Sequence, residues 1–266
     1  MNADEIDATL ASTLDSLDDA VNYMEWIMDM IRPHLTAPIL EVGAGHGTFT
    51  SALADIGEVH AVEPGAHAST VLAERFAQRN DVEVTHGVID DVPLRPRVGS
   101  SVMINVLEHI DDDLGALASI RERMEPGGRI AIWVPAFSVL YSEFDRQLGH
   151  HRRYRKAGLR SVVESAGFRC ETVRYVNALG FFSWLIVTRL LRKEPTAGPL
   201  VTIFDRWLVP IIRRIETIVT PPFGQSILLI GVNDRIHSPS LVAPVECGDD
   251  GVGVGDQRGT TRSTSL

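Results

Sequence analysis

The stretch "ILEVGAGHGT", residues 39–48, sets a glutamate and three alternating glycines behind an apolar run. Gly43, Gly45 and Gly47 allow the backbone to come close to a nucleotide-like ligand where a Cβ would collide. The order differs from the Gly-x-Gly-x-x-Gly of dinucleotide-binding turns, and the Gly-Lys-Ser or Gly-Lys-Thr of a P-loop is missing. Both hydride and phosphoryl chemistry are therefore disfavoured. Further reactive side chains follow in "INVLEHIDDD", residues 104–113, with Glu108 and His109, and in "LGHHRRYRKAGL", residues 148–159. The second run carries His150, His151, Arg152, Arg153, Tyr154, Arg155 and Lys156. A base, anion-binding groups and an aromatic ring in so few positions suit a substrate mouth, although a solvated basic loop opening a helix has the same composition.

These groups need a scaffold, and the hydrophobic pattern supplies one. Short apolar runs at residues 39–42, 59–62, 82–86, 101–105 and 129–134 read as buried strands separated by helical stretches. Alternation of this kind predicts an α/β Rossmann-like fold, with a mostly parallel sheet, helices on both faces and ligands at the carboxyl ends of the strands. Val21, Met24, Ile27, Met28 and Ile31 recur at helical spacing within residues 18–35, with Asp18 or Asp19 as N-cap and Pro33 near the end. A further helix ended by Gly167 leads into a strand reaching Val176, and "SILLIGV", residues 226–232, reads as the last strand. Residues 177–225 are too long for an ordinary connection and read as an inserted helical lid. The expected organisation is N-terminal cap helices over 1–35, a core over 36–176, the insert over 177–225, the last strand over 226–237, and a disordered Gly- and Ser-rich tail over 238–266.

Glu-x-Gly-x-Gly-x-Gly after a strand resembles motif I of the class I S-adenosylmethionine-dependent methyltransferases. "VHAVEP" ends on Glu63 and Pro64, where that family places an acidic residue for the two ribose hydroxyls. A carboxylate with two acceptor oxygens suits a vicinal diol. "INVLEHIDDD" and "RMEPGGRIAIWVP" are similar to the family's fourth-strand segment and the turn and strand after it. The resemblance implies a seven-stranded sheet whose last strand is antiparallel, S-adenosylmethionine as cofactor, S-adenosylhomocysteine as product, and no metal. It assigns Glu41, Gly43, Ala44, Gly45, Gly47, Glu63, Pro64, Asn105, Val106 and Leu107 to the cofactor, with Glu108 and His109 facing the transferred methyl. Where members often carry Asp after the third-strand glycine, Gly87 is here followed by Val88, which leaves Asp90 as the candidate adenine contact. "GHxRRY", "N-x-x-G" and "P-P-F-G-Q-S" segments occur in a subset of the family that includes enzymes of secondary metabolism, and here they fall at Gly149–Tyr154, Asn177–Gly180 and Pro221–Ser226.

Methyl transfer from a sulfonium requires a nucleophile held in line and, for a weak nucleophile, a base. His150, Tyr154, His109 and Tyr23 are the candidates for that chemistry, and Trp26, Arg153, Asn177, Phe181 and Trp184 for the acceptor pocket. The acceptor expected is a small, partly apolar molecule, aromatic or heteroaromatic, methylated at carbon, nitrogen or oxygen. A lipid or lipid-linked sugar at a membrane surface, and a non-catalytic cofactor-binding module, are the alternatives. The first draws on the run "YVNALGFFSWLIVT", residues 175–188, which is too short to span a bilayer but fits a buried or surface-seeking helix with peripheral membrane contact. A net charge of −10 disfavours nucleic-acid partners. Cys170 and Cys247 are too few for a disulfide framework, and the acidic opening residues do not form a secretory leader, so a cytoplasmic location is expected.

Overall fold

The protein is described from a computed structural model over residues 20–186 and 202–234; the expected tail, Asp18 and Asp19 lie outside the described residues. In chain order the elements are α1 Val21–Ile31, β1 Ile39–Val42, α2 Thr50–Ala54, β2 Val59–Glu63, α3 Ala66–Phe76, β3 Val82–His86, β4 Val98–Ile104, α4 Asp113–Arg123, β5 Met124–Pro135, α5 Glu143–Gln147, α6 Lys156–Ser165, β6 Phe168–Val176, α7 Ala178–Trp184, α8 Val209–Ile218 and β7 Ser226–Asn233. The seven strands order as β3-β2-β1-β4-β5-β7-β6. β1 to β5 pair in parallel, while β7 runs antiparallel between β5 and β6. This is the Rossmann-like methyltransferase sheet that the motifs implied.

Alternation along each strand sends successive side chains into two cores, one on each face of the sheet. Leu40, Val42, Met103, Ile130 and Ile132 pack with Leu117 and Ile120 of α4 and Leu159 and Val163 of α6. Ile39, Val102, Ala131 and Trp133 pack on the opposite face with Trp26, Ile27 and Ile31 of α1, Leu72 and Phe76 of α3, and Val209 and Ile212 of α8. The strand order reverses between β1 and β4, the crevice where open α/β sheets take their ligands.

Helix α1 carries the expected apolar stripe and stops at a 3₁₀ turn through Arg32, Pro33 and His34. Its capping differs from expectation. Ala20 occupies the N-cap position, and Asp205, far along the chain, accepts from the backbone N–H groups of Asn22 and Tyr23 at 3.1 and 2.8 Å. A buried carboxylate thus satisfies donors that the local sequence leaves orphaned. The insert also ties itself to β6 and β7. Asn177, left-handed at φ 64°, accepts from Gly180 N–H and donates to Gln225 Oε1 at 3.0 Å. Glu216 of α8 accepts from the backbone N–H groups of Asn177 and Ala178. A Cβ on Gly224 would lie 2.2 Å from the Val176 carbonyl oxygen. The "N-x-x-G" and "G-Q-S" segments are thus two halves of one packed joint.

Candidate active site

The glycine turn leaves β1 at its carboxyl end. Gly43, Gly45 and Gly47 all have positive φ, at 70°, 57° and 86°, which disfavours side chains on conformational grounds. Space excludes them too. A Cβ on Gly43 would lie 2.5 Å from Val106 Cγ2, and one on Gly47 the same distance from the Phe76 ring. The first contact brings the turn against the segment that follows β4, where Asn105 is itself left-handed at φ 53°.

Glu63, buried at the end of β2, holds the turn from below. Its Oε2 accepts from Gly45 N–H and its Oε1 from Gly65 N–H, each at 2.8 Å. Carboxylate oxygens have further lone pairs, so acceptor capacity toward a hydroxyl is retained. Pro64 and Gly65 follow directly and lead into α3. Glu41, buried in β1, accepts from the Thr50 hydroxyl at 2.6 Å. Burial pushes its carboxyl up to about 8 against the effect of that hydrogen bond, and the charge of Glu63 adds to the rise.

The raised Glu41 carboxyl has a signed consequence. Between the ordinary carboxyl range and about pH 8 the unfolded chain ionises Glu41 while the folded chain keeps it protonated, so this group costs stability as pH rises. Its contribution is fully present below the unfolded pKa and is lost by about pH 8. Urea unfolding of Glu41→Gln alongside the parent at pH 5.5 and 7.5 should show the difference moving in favour of glutamine by about 1.4 kcal/mol per pH unit. Parallel pH dependences in the two proteins would mean that Glu41 is ionised in the folded state.

Past β4 the chain makes a 3₁₀ turn over Leu107–His109. Leu107 and Glu108 are fully buried, and among the described residues neither carboxylate oxygen of Glu108 has a hydrogen-bond partner. Burial raises the Glu108 carboxyl to about 8. His109 meets His150 edge to face at 4.6 Å between ring centroids. Burial, with the charges of His150 and His151 adding, lowers His109 to about 3 and keeps it neutral. Asp145, fully buried at the start of α5, lies 2.9 Å from His150 Nδ1 and accepts from Arg153 Nε at 2.7 Å. Burial opposes its ionisation, but His150 and Arg153 override that and hold it down at about 2. An ionised carboxylate can only accept, so Nδ1 of His150 is the donor in this contact and Nε2 is the ring nitrogen left for other partners.

The candidate residues fall into groups. Glu41, the turn glycines and Ala44 lie on β1 and its turn, Glu63 and Pro64 at the end of β2, and Asn105 to Leu107 after β4; Gly43 meets Val106, Glu63 holds Gly45, and His109, just beyond Leu107, pairs with His150. Tyr23 touches Trp26 and Trp133 edge to face, and its hydroxyl is turned toward Ser226, Trp133 and Asn177. Trp26 is buried in the core beneath α1. Tyr154 donates its hydroxyl to Asp113 Oδ2 at 2.8 Å, and its backbone bridges Pro135 and Phe137. Arg153, besides Asp145, stacks on Trp184 with 4.8 Å from guanidinium carbon to ring centroid. Phe181 packs edge-on against Phe137, Phe182 and Phe223. Asp90 is turned to α4, where it accepts from the Ser119 hydroxyl and pairs with Arg123. Two contributors escaped sequence reasoning. "SEFD" reads as a Ser-x-x-Asp helix cap, and Asp145 does accept from Ser142, but nothing local announces its reach to His150 and Arg153. Phe137, left-handed at φ 58° and stacked on Tyr175, lies outside every motif.

Residues 40–130, from β1 into β5, match the model of a family described as methyltransferase domain. Over this stretch the chain is similar to a methyltransferase domain, and its strand order is that of the methyltransferase fold. The domain's fold is similar to that of the methyltransferase solved with the Trm112 methyltransferase activator of Haloferax volcanii, at 17% identity and a TM-score of 0.58, covering 88% of this chain and 99% of that one. It is also similar to phosphoethanolamine N-methyltransferase 2 of Haemonchus contortus in complex with S-adenosyl-L-methionine, at 17% identity and a TM-score of 0.54, covering 79% of this chain and 52% of that one. A protein described as an uncharacterized 37.1 kDa protein in transposon Tn4556 of Streptomyces fradiae is 25% identical over 201 residues, 73% of this chain. The alignment spans 55% of that relative's length.

Proposed function

We propose that the protein transfers a methyl group from S-adenosylmethionine to a small, partly apolar acceptor, aromatic or heteroaromatic, at carbon, nitrogen or oxygen. The observation that carries the reading is the left-handed glycine turn closed against Val106, where a Cβ on Gly43 would collide, and pinned by Glu63. The similar fold of a phosphoethanolamine N-methyltransferase solved with S-adenosyl-L-methionine supports the same cofactor. When bound there, the cofactor supplies an electrophilic methyl on a sulfonium.

The chain's own residues have three tasks. Glu63 accepts hydrogen bonds from the ribose hydroxyls while keeping the turn shaped. Phe137, Phe181, Phe182 and Phe223 provide an aromatic cluster against which an apolar acceptor packs. His150, oriented by Asp145, takes the acceptor's proton at Nε2 as the new bond to the methyl forms and the sulfur regains its electron pair. Calorimetric titration with S-adenosylmethionine, S-adenosylhomocysteine and NAD tests the first task. Micromolar binding of the first two and none of NAD is expected; binding of NAD alone would overturn the reading.

A second reading, with the acceptor presented at a membrane surface, has one observation in its favour. Trp207, Ile211, Ile215 and Ile218 form an outward stripe along the insert, with Trp207 67% and Ile218 85% exposed. Among the described residues no helix is long and apolar enough to cross a membrane, so contact through this stripe would be peripheral. Flotation with anionic liposomes at low salt discriminates, because absence of association would remove this reading.

A further inference from the structure

Beside the cofactor crevice the chain assembles a group of side chains that proton transfer alone does not explain. Glu108, His109 and His150 each offer one ligand atom, and these atoms lie within 4.8 Å of one another. Glu108 is wholly buried with both carboxylate oxygens unpartnered, which is costly unless something neutralises or binds them. His150 has its Nδ1 at 2.9 Å from the buried Asp145, the carboxylate–histidine arrangement that fixes the tautomer and raises the basicity of the outward nitrogen of a metal-binding histidine. Asp145 is balanced by Arg153 at 2.7 Å, so the guanidinium charge is already compensated.

We propose that Glu108, His109 and His150 bind one divalent transition-metal cation, with Asp145 as the positioning residue behind His150. Two imidazoles and one carboxylate suit zinc, iron(II), manganese or cobalt and leave coordination positions open. Ligand atoms on such a cation at about 2.0–2.2 Å stand roughly 3.4 Å apart in a tetrahedron, so the three atoms, now within 4.8 Å, would draw together on binding. The proposal deepens the methyltransferase reading and rests on it for its consequence: an acceptor hydroxyl seated on an open position loses its proton to solvent more readily. Its oxygen then takes the methyl while the S–CH3 bond breaks and the electron pair stays on sulfur. In that form Nε2 of His150 is a ligand rather than the base, and the acceptor class narrows to molecules that offer a metal-binding oxygen.

The test uses the full chain, stripped with chelator and dialysed, then titrated separately with Zn²⁺, Mn²⁺ and Co²⁺ in the absence of cofactor. One cation per chain is expected, with visible Co²⁺ bands of a nitrogen- and oxygen-ligated site. Glu108→Gln, isosteric and suited to the buried position, and His109→Gln should each abolish stoichiometric binding while circular dichroism and Tm stay near those of the parent. Asp145→Asn should weaken binding by roughly 10–100-fold and alter the Co²⁺ spectrum. His67→Gln, outside the cluster, should change nothing. No stoichiometric binding by the parent, or binding unaffected by Glu108→Gln and His109→Gln, overturns the proposal. Failure here is distinct from failure of the methyltransferase reading, which is judged by S-adenosylmethionine binding to the metal-free chain.

Discussion

Glu63→Ala is expected to weaken S-adenosylmethionine binding by about 1.5–3 kcal/mol, the range for hydrogen bonds to a charged group, or on the order of 10–100-fold in Kd. Two losses combine in that figure. The carboxylate would no longer accept from the cofactor's hydroxyls, and the N–H groups of Gly45 and Gly65 would lose the acceptor that sets the turn. Glu63→Gln separates them, since an amide keeps one acceptor oxygen but turns a donor toward a second N–H. Its affinity should fall between parent and alanine. Calorimetry on the three proteins, with Tm measured alongside, checks the order. Unchanged affinity in Glu63→Ala would remove this residue from the cofactor site.

His150→Ala is the second large effect. Loss of a positioned base or of a cation ligand both predict a fall in turnover, by about 10²–10⁴ for general-base catalysis. Cofactor affinity should hardly move, because the ring's contacts are with Asp145 and His109 rather than with the glycine turn. Mass-spectrometric screening of aromatic and heteroaromatic hydroxyl, amine and indole compounds supplies the acceptor for this measurement. Asp145→Asn retains the imidazole but allows the wrong tautomer, so it should lie between the parent and the alanine variant. Parent-like turnover in His150→Ala would leave His150 as no more than a structural partner of Asp145.

The same substitution at Tyr154 carries a different expectation, and here sequence and tertiary structure part. Both residues lie in one basic run, five positions from Asp145 to His150 and four more to Tyr154. Only the folded chain turns the tyrosine hydroxyl to Asp113 on α4 and the histidine to the side of His109. Asp90 repeats the lesson: its place after the third strand was readable, but Ser119 and Arg123 on α4 engage its side chain. Trp26, three positions from Tyr23, goes into the core because α1 lies flat against Trp133 and the sheet.

What the amino-acid order determined by itself is what depends on near neighbours. Strand and helix periodicity, the left-handed turn that only glycines enter cheaply, and a carboxylate at the end of the next strand all follow from local sterics and regular spacing. A seven-stranded, mostly parallel sheet with an antiparallel last strand was legible through those motifs, whereas the strand order and its reversal between β1 and β4 came from the folded chain. Tertiary structure alone decided the partners of charged and buried polar groups. Asp205 caps α1 across more than 180 residues, Glu216 caps the insert's first helix, and Asp145 reaches His150 and Arg153. The same packing leaves the Glu108 carboxylate buried with no hydrogen-bond partner among the described residues. A buried polar atom must be satisfied by whatever the fold brings within about 3 Å, and that geometry is set by long-range packing, to which spacing along the chain is blind.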